Sequence, residues 1–180
     1  MGAGFKPVPT VLAQTRKELW EMGDDGRGNA DNPGVVAPPP FIYAGALAAG
    51  LLASRRFRLP FLPRRLARTL GPLVLAGGFV VGLSGFREVR RAGSNVDPRE
   101  PATTVVTGGP YRFTRNPMYL GFTLMYLGIS ALANTLLPIL LLPAVQQLMR
   151  RGVIEREERY LESKFGEEYL QFKGRVRRWI

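Results

Sequence analysis

Uncharged apolar blocks alternate with basic blocks along this chain. No Lys or Arg occurs from Gly28 to Ser54 or from Asn116 to Met149, and the window from Thr69 to Phe86 carries no charge at all. This alternation predicts an all-α, polytopic membrane bundle, because a helix satisfies its backbone hydrogen bonds within one segment where no water is present. The first block, Phe41 to Ala53, has 13 residues and becomes a short span only if Val35 to Pro40 contribute. Spans usually need about 17 to 25 residues. The second block, Thr69 to Phe86, contains Gly78-Phe79-Val80-Val81-Gly82, a small-xxx-small spacing that lets another helix approach closely.

The third block, Asn116 to Met149, runs for 34 residues without a charge. As one helix it would be about 51 Å long, well beyond a hydrocarbon core of about 30 Å. A break is therefore expected at Ala133-Asn134-Thr135, with Pro138 soon after, giving a tight hairpin of Met118 to Ala133 and Leu136 to Met149. About four transmembrane helices result, the third and fourth forming the hairpin.

Beyond Met149 the chain turns polar but keeps helical periodicity, with Val145, Leu148, Val153, Ile154, Leu161 and Phe165 recurring among charges. The last span is expected to continue into a cytoplasmic helical region. Gly166 is a natural cap, and Glu167 to Lys173 predicts a further short helix with Tyr169, Leu170 and Phe172 along one side. The basic and aromatic run Arg175 to Ile180 suits a headgroup surface. Residues 1–38, rich in Gly, Pro, Asp and Asn, read as a flexible tail with one helix-compatible stretch, Thr10 to Met22, suited to a membrane surface; residues 39–180 read as the membrane domain. The tail lacks the basic start and apolar core of a secretory signal.

Composition narrows the chemistry. The 180 residues carry 25 Lys and Arg against 14 Asp and Glu, a net charge of +11, with no Cys and no His. Zinc fingers, thiolate nucleophiles, Ser-His-Asp triads and the usual haem or iron-sulfur ligation are excluded, and no metal site is expected. A pI near 10.8 would suit nucleic acid, but basic blocks interrupted by apolar ones point to membrane lipids instead. Nineteen of the basic residues fall on the side of the tail, the 87–115 segment and the region after 149; six Arg between Arg55 and Arg68 fall on the other. The positive-inside bias places both ends in the cytoplasm, with a bacterial cytoplasmic membrane as the expected setting.

A hairpin returns its second leg to the face where its first began. Tyr111, Arg112, Arg115, Asn116 and Tyr119 should therefore approach Glu155, Glu157 and Glu158 at the mouth of an apolar bundle. Arg can fork onto a carboxylate, Asn can bond to amino-acid or base edges, Glu can accept from ribose hydroxyls or an ammonium, and Tyr faces attract a cation. S-adenosylmethionine has all these features, and its activated methyl group needs no histidine, only an acceptor held in line. The same residues also have plainer readings: headgroup contacts for Arg112 and Arg115, interfacial anchors for Tyr111 and Tyr119, and a solvated face with Glu155 and Arg159 paired for the glutamates.

The ordered pattern Gly109-Pro110-Tyr111-Arg112-Phe113-Thr114-Arg115-Asn116-Pro117-Met118-Tyr119-Leu120-Gly121, an apolar hairpin, then Glu155-Arg156-Glu157-Glu158-Arg159-Tyr160-Leu161, Phe165-Gly166, Tyr169 and the closing Arg175-Val176-Arg177-Arg178-Trp179-Ile180 resembles the isoprenylcysteine carboxyl methyltransferase and phospholipid methyltransferase superfamily over residues 66–180. The resemblance implies an integral-membrane methyltransferase that uses S-adenosylmethionine. It carries the Arg-His-Pro-x-Tyr-x-Gly cofactor motif onto Arg115, Asn116, Pro117, Tyr119 and Gly121, and the paired-Glu motif onto Glu157 and Glu158, with Tyr111 as a further candidate. Asn116 stands where the family pattern has His, which argues against proton transfer at that position.

The acceptor implied is a lipophilic or lipidated molecule bearing a carboxylate, amine or thiol, and Arg112 is a candidate contact for an anionic one. Two other readings remain open at this point. One is a membrane reductase using a nicotinamide cofactor, whose relatives are longer; the other is a non-enzymatic lipid-binding scaffold.

Overall fold

The computed structural model describes residues 32–180, so the stretch from Thr10 to Met22 and most of the 1–38 tail lie outside the described residues. The described chain is all helical. Helix α1, Pro39–Arg56, starts on prolines, whose missing N–H costs nothing in a first turn, and ends on Arg55 and Arg56, which complement the partial negative charge there. Helix α2 is Arg64–Arg91, α3 is Pro117–Leu132 and α4 is Leu136–Met149. A π-helical turn, Arg150–Ile154, leads into α5, Glu155–Phe165, and Gly166 at φ 53° separates it from α6, Glu167–Arg175.

The hairpin breaks where expected. Asn134 adopts φ 47°, a left-handed conformation that Asn tolerates, and its side chain ties the α3–α4 turn to the α1–α2 loop. Its Oδ1 accepts from the Phe61 and Leu62 amides at 3.2 and 3.0 Å, while its Nδ2 donates to the Leu62 carbonyl at 2.8 Å.

Helix α2 runs beyond the expected Thr69 to Phe86 at both ends. Charges do not stop a helix; the chain leaves this one only near Gly93, at φ 72°. At 28 residues it is about 42 Å long, and among the described residues it alone has both the length and the apolar composition to cross a membrane. Helices α3 and α4, with 16 and 14 residues, fall short of about 20. Leu170, expected on the buried side of α6, is 45% exposed, because burial follows the i, i+3 pair Tyr169 and Phe172.

Helices α2 and α3 pack antiparallel through glycines placed at Gly71, Gly78, Gly82 and Gly85 on one and at Gly121 and Gly128 on the other. A Cβ on Gly121 would lie 2.6 Å from the Gly82 Cα, and one on Gly128 2.5 Å from the Leu75 amide nitrogen, so the two backbones are in contact. The spacing in Gly78 to Gly82 is thus used, as part of a longer stripe. Helix α1 approaches α4 in the same way, through Gly50 against Pro138. A core of Tyr43, Tyr119, Tyr126, Val145, Met149 and Ile154 fills the space between α1, α3 and α4. A second cluster of Val89, Val105, Tyr111, Tyr169 and Phe172 lies at the end of α2 near the start of α3.

Candidate functional site

The site is built from the segment that enters α3. Gly108 and Gly109 press against Glu88: a Cβ on Gly108 would meet the Glu88 Oε1 at 2.2 Å and push that carboxylate aside, while Gly109 adopts φ 53°, a conformation that favours glycine. The 3₁₀ turn Gly109–Arg112 that follows sends Tyr111 inward and Arg112 out to solvent. Thr114 and Asn116 are buried, Pro117 occupies the first helical position, and Tyr119 is buried within the first turn of α3.

Across from it, Glu157 and Glu158 are adjacent on α5 and so point about 100° apart, which gives them different partners. The Tyr119 hydroxyl donates to Glu157 Oε1 at 2.5 Å. Glu158 faces two guanidiniums: Arg178 Nε and Nη2 donate to Oε1 and Oε2 at 2.9 and 2.7 Å, and Arg115 Nη1 lies 3.3 Å from Oε1. Glu155 stays at the surface, accepting from Arg150 Nε at 2.8 Å. Its expected i,i+4 pairing with Arg159 is thereby replaced, since Arg150 reaches it across the π-helical turn.

Electrostatics separate the two buried glutamates. Burial holds the Glu157 carboxyl up at about 7, against an ordinary 4.5; the Tyr119 hydrogen bond opposes this and the Glu158 charge adds to it. Burial likewise pushes the Tyr169 hydroxyl up to about 12 and raises that of Tyr111, with nearby glutamate charges adding to both. Arg178 is held above the usual guanidinium range, first by its hydrogen bonds to Glu158.

A cavity of about 150 Å3 lies among these groups, lined by Arg115, Asn116, Tyr119, Glu157 and Glu158, with Tyr169 and Phe172 as apolar walls and the 94–106 loop as a rim. Arg115 Nε and Nη1 are buried there with no hydrogen-bond partner among the described residues. An unsatisfied buried donor costs about 1–3 kcal/mol, more for a charged group, so an anionic ligand has most to gain at this position. An apolar groove of about 490 Å3, lined by Phe79, Leu83, Phe86, Met118, Phe122 and Met125, adjoins the cavity and shares Tyr119 and the Val96–Pro98 segment with it.

The fold therefore brings together Tyr111, Arg115, Asn116, Tyr119, Glu157 and Glu158. Arg112 is exposed and does not line the cavity, and Pro117 and Gly121 pack against Gly85 and Gly82 of α2 instead. Sequence reasoning missed Arg178. The run Arg175 to Ile180, expected on the headgroup surface, folds back as a strap: the Arg177 carbonyl accepts from the Arg115 amide at 3.0 Å, and the Arg178 carbonyl accepts from Thr114 Oγ1 and Asn116 Nδ2, both at 3.0 Å. The backbone donors and hydroxyls before α3 need acceptors, and the strap supplies them; no periodicity in a basic run announces that path. Tyr169 and Phe172 had a signal in their spacing along α6.

A sequence-family model described as phospholipid methyltransferase matches residues 66–168. Among curated proteins, 63 residues are 40% identical to an uncharacterised protein of Haemophilus influenzae, covering 35% of this chain and 79% of that one. A stretch of 72 residues is 36% identical to protein-S-isoprenylcysteine O-methyltransferase of Schizosaccharomyces pombe, over 40% of this chain and 30% of that one. Another of 64 residues is 39% identical to the cobalt-zinc-cadmium resistance protein CzcN of Cupriavidus metallidurans, over 36% of this chain and 30% of the relative. The match thus spans less than a third of the two relatives that carry functional names. No solved structure matches the chain significantly.

Proposed function

This chain belongs to the phospholipid methyltransferase family, and on that footing we propose that it is an integral-membrane methyltransferase acting from S-adenosylmethionine on a lipophilic acceptor. The observation that carries this reading is the buried Arg115, whose Nε and Nη1 have no hydrogen-bond partner among the described residues, in a cavity that shares a wall with an apolar groove. The residues present fit the cofactor. Arg115 offers a fork to a carboxylate, Glu157 offers an acceptor with no ion pair among the described residues, and the Tyr119 ring lies where a cation would be attracted. When bound, S-adenosylmethionine supplies an activated methyl group.

The chain's own residues position and shield. Asn116 and Glu158 hold the Arg115 region in place, Tyr111 and Tyr169 close the cavity with their rings, and Pro117 and Gly121 seat α3 against α2. The groove beside Tyr119 suits the apolar part of the acceptor, and exposed Arg112 stands at the edge where an anionic headgroup would lie. Helices α1 to α4 form the membrane bundle in this reading. Phe41, Leu73, Val80 and Leu140, at 60–72% exposed, present the apolar side chains that lipid would cover. The basic balance supports a cytoplasmic-membrane protein with its site facing the cytoplasm.

The test is methyl transfer. Purified protein in lipid nanodiscs, given methyl-labelled S-adenosylmethionine and a membrane lipid extract, should move label into the organic-soluble fraction. Binding of NADPH with no transfer of label would favour the reductase reading instead.

A further inference from the structure

A buried carboxylate needs cations and hydrogen bonds to offset its lost hydration, and Glu158 has more cation than it needs. Its side chain is 9% exposed, and Arg178 takes both of its oxygens in a fork. Arg115, 10% exposed, stands within ion-pair range of the same carboxylate but out of line for a hydrogen bond, with Nε and Nη1 unpartnered. Two arginines therefore face one glutamate, and only one of them is used up by it.

What holds Arg178 in that position is its own backbone. Thr114 and Asn116 both donate to its carbonyl, and the Arg115 amide donates to the preceding one, so the strap is pinned on either side of Arg115. Trp179 packs against the core of the bundle. Asn116 performs this task as a plain donor and needs no titratable ring.

We infer that Arg178 is a positioning residue: by occupying both oxygens of Glu158 it prevents that carboxylate from closing on Arg115, and so leaves the Arg115 donors free for the anionic end of the ligand in the cavity. Without Arg178, Glu158 would turn to Arg115, and the anion-binding group would be spent within the protein. The inference rests on the cofactor reading above, and it assigns a role to a residue outside the matched family segment, which ends at residue 168.

Two ligands separate this role from simple coverage of the cavity. S-adenosylhomocysteine carries the amino-acid carboxylate; 5′-methylthioadenosine shares the adenine and ribose and lacks that end. Titration calorimetry on the full chain in detergent, with folding followed by circular dichroism, should show that Arg178→Ala weakens S-adenosylhomocysteine by about tenfold or more, the scale of one charge-assisted hydrogen bond, while 5′-methylthioadenosine changes little. Arg178→Lys should recover part of the loss, because an ammonium keeps the charge but not the fork. Asn116→Ala, which loosens the strap and leaves the guanidinium intact, should show the same split at smaller size and serves if Arg178→Ala fails to fold. Equal weakening of both ligands in a folded variant, or unchanged S-adenosylhomocysteine binding, overturns the inference. A wild-type protein that binds neither ligand overturns the cofactor reading itself.

Discussion

Along most of its length α3 meets α2 through glycines, whereas at its first turn it meets α5 and the strap through charges and hydroxyls. The glycine interface brings backbone against backbone, with positions such as Gly78 and Gly121 leaving no room for a methyl group. The polar end packs less tightly, keeps a cavity, and leaves guanidinium donors without hydrogen bonds among the described residues. One region spends its sequence on closeness and gains stability; the other leaves polar groups unsatisfied, which a ligand can satisfy.

Enlarging the close interface should have the largest effect. Gly121→Leu forces a side chain into the α2 backbone, at or above the upper end of the about 1–3 kcal/mol typical of overpacking. Thermal melting should show a large drop in stability, and ligand binding should disappear together with the folded state. The comparison breaks if this variant melts normally and loses only binding, for Gly121 would then serve the site.

A smaller and more specific effect is expected from Glu157→Gln at the polar end. The Glu157 carboxyl is held at about 7 in the folded chain against an ordinary 4.5. Between these values the folded chain keeps a proton that the unfolded chain has released, so the contribution of Glu157 to stability falls as pH rises through the window and levels off above it. Wild-type melting temperature should decline across that range relative to Glu157→Gln, which lacks the slope. Affinity for a cationic ligand should move the other way, tightening on the order of tenfold between about pH 6 and 8 in the wild type and staying flat in the variant.

The smallest effect is expected at Gly77, on the same helix as Gly78 but facing open space. Gly77→Ala should leave binding unchanged and raise helix stability by about 1 kcal/mol at most. A severe loss there would mean that the α2 glycine face is wider than Gly71, Gly78, Gly82 and Gly85.

Sequence revealed these two regions unequally. The hairpin was legible because 34 uncharged residues cannot form one span, and Asn134 marks the turn. The polar constellation followed from that hairpin, which is why Tyr119 with Glu157 and Arg115 with Glu158 were foreseeable as neighbours. Gly78 to Gly82 showed in the pattern, while the matching Gly121 and Gly128 acquire meaning only once α3 lies antiparallel to α2. The π-helical turn at Arg150–Ile154 was not legible, since no proline interrupts it; within it the Gly152 carbonyl accepts from the Val36 amide at 3.1 Å. Arg178 was hidden because a basic run reads as surface until the fold shows where its carbonyls point. The length of α2 was underestimated, since hydropathy marks the apolar window and not the helix that contains it.

The central claim is that the cavity at the start of α3 holds S-adenosylmethionine through Arg115. Its most direct test is calorimetric titration of S-adenosylhomocysteine into wild type, Arg115→Ala and Glu158→Gln, each verified as folded. The account predicts saturable binding to the wild type, loss of most of the affinity in Arg115→Ala, and a weaker but folded Glu158→Gln. Equal binding by wild type and a folded Arg115→Ala would contradict it.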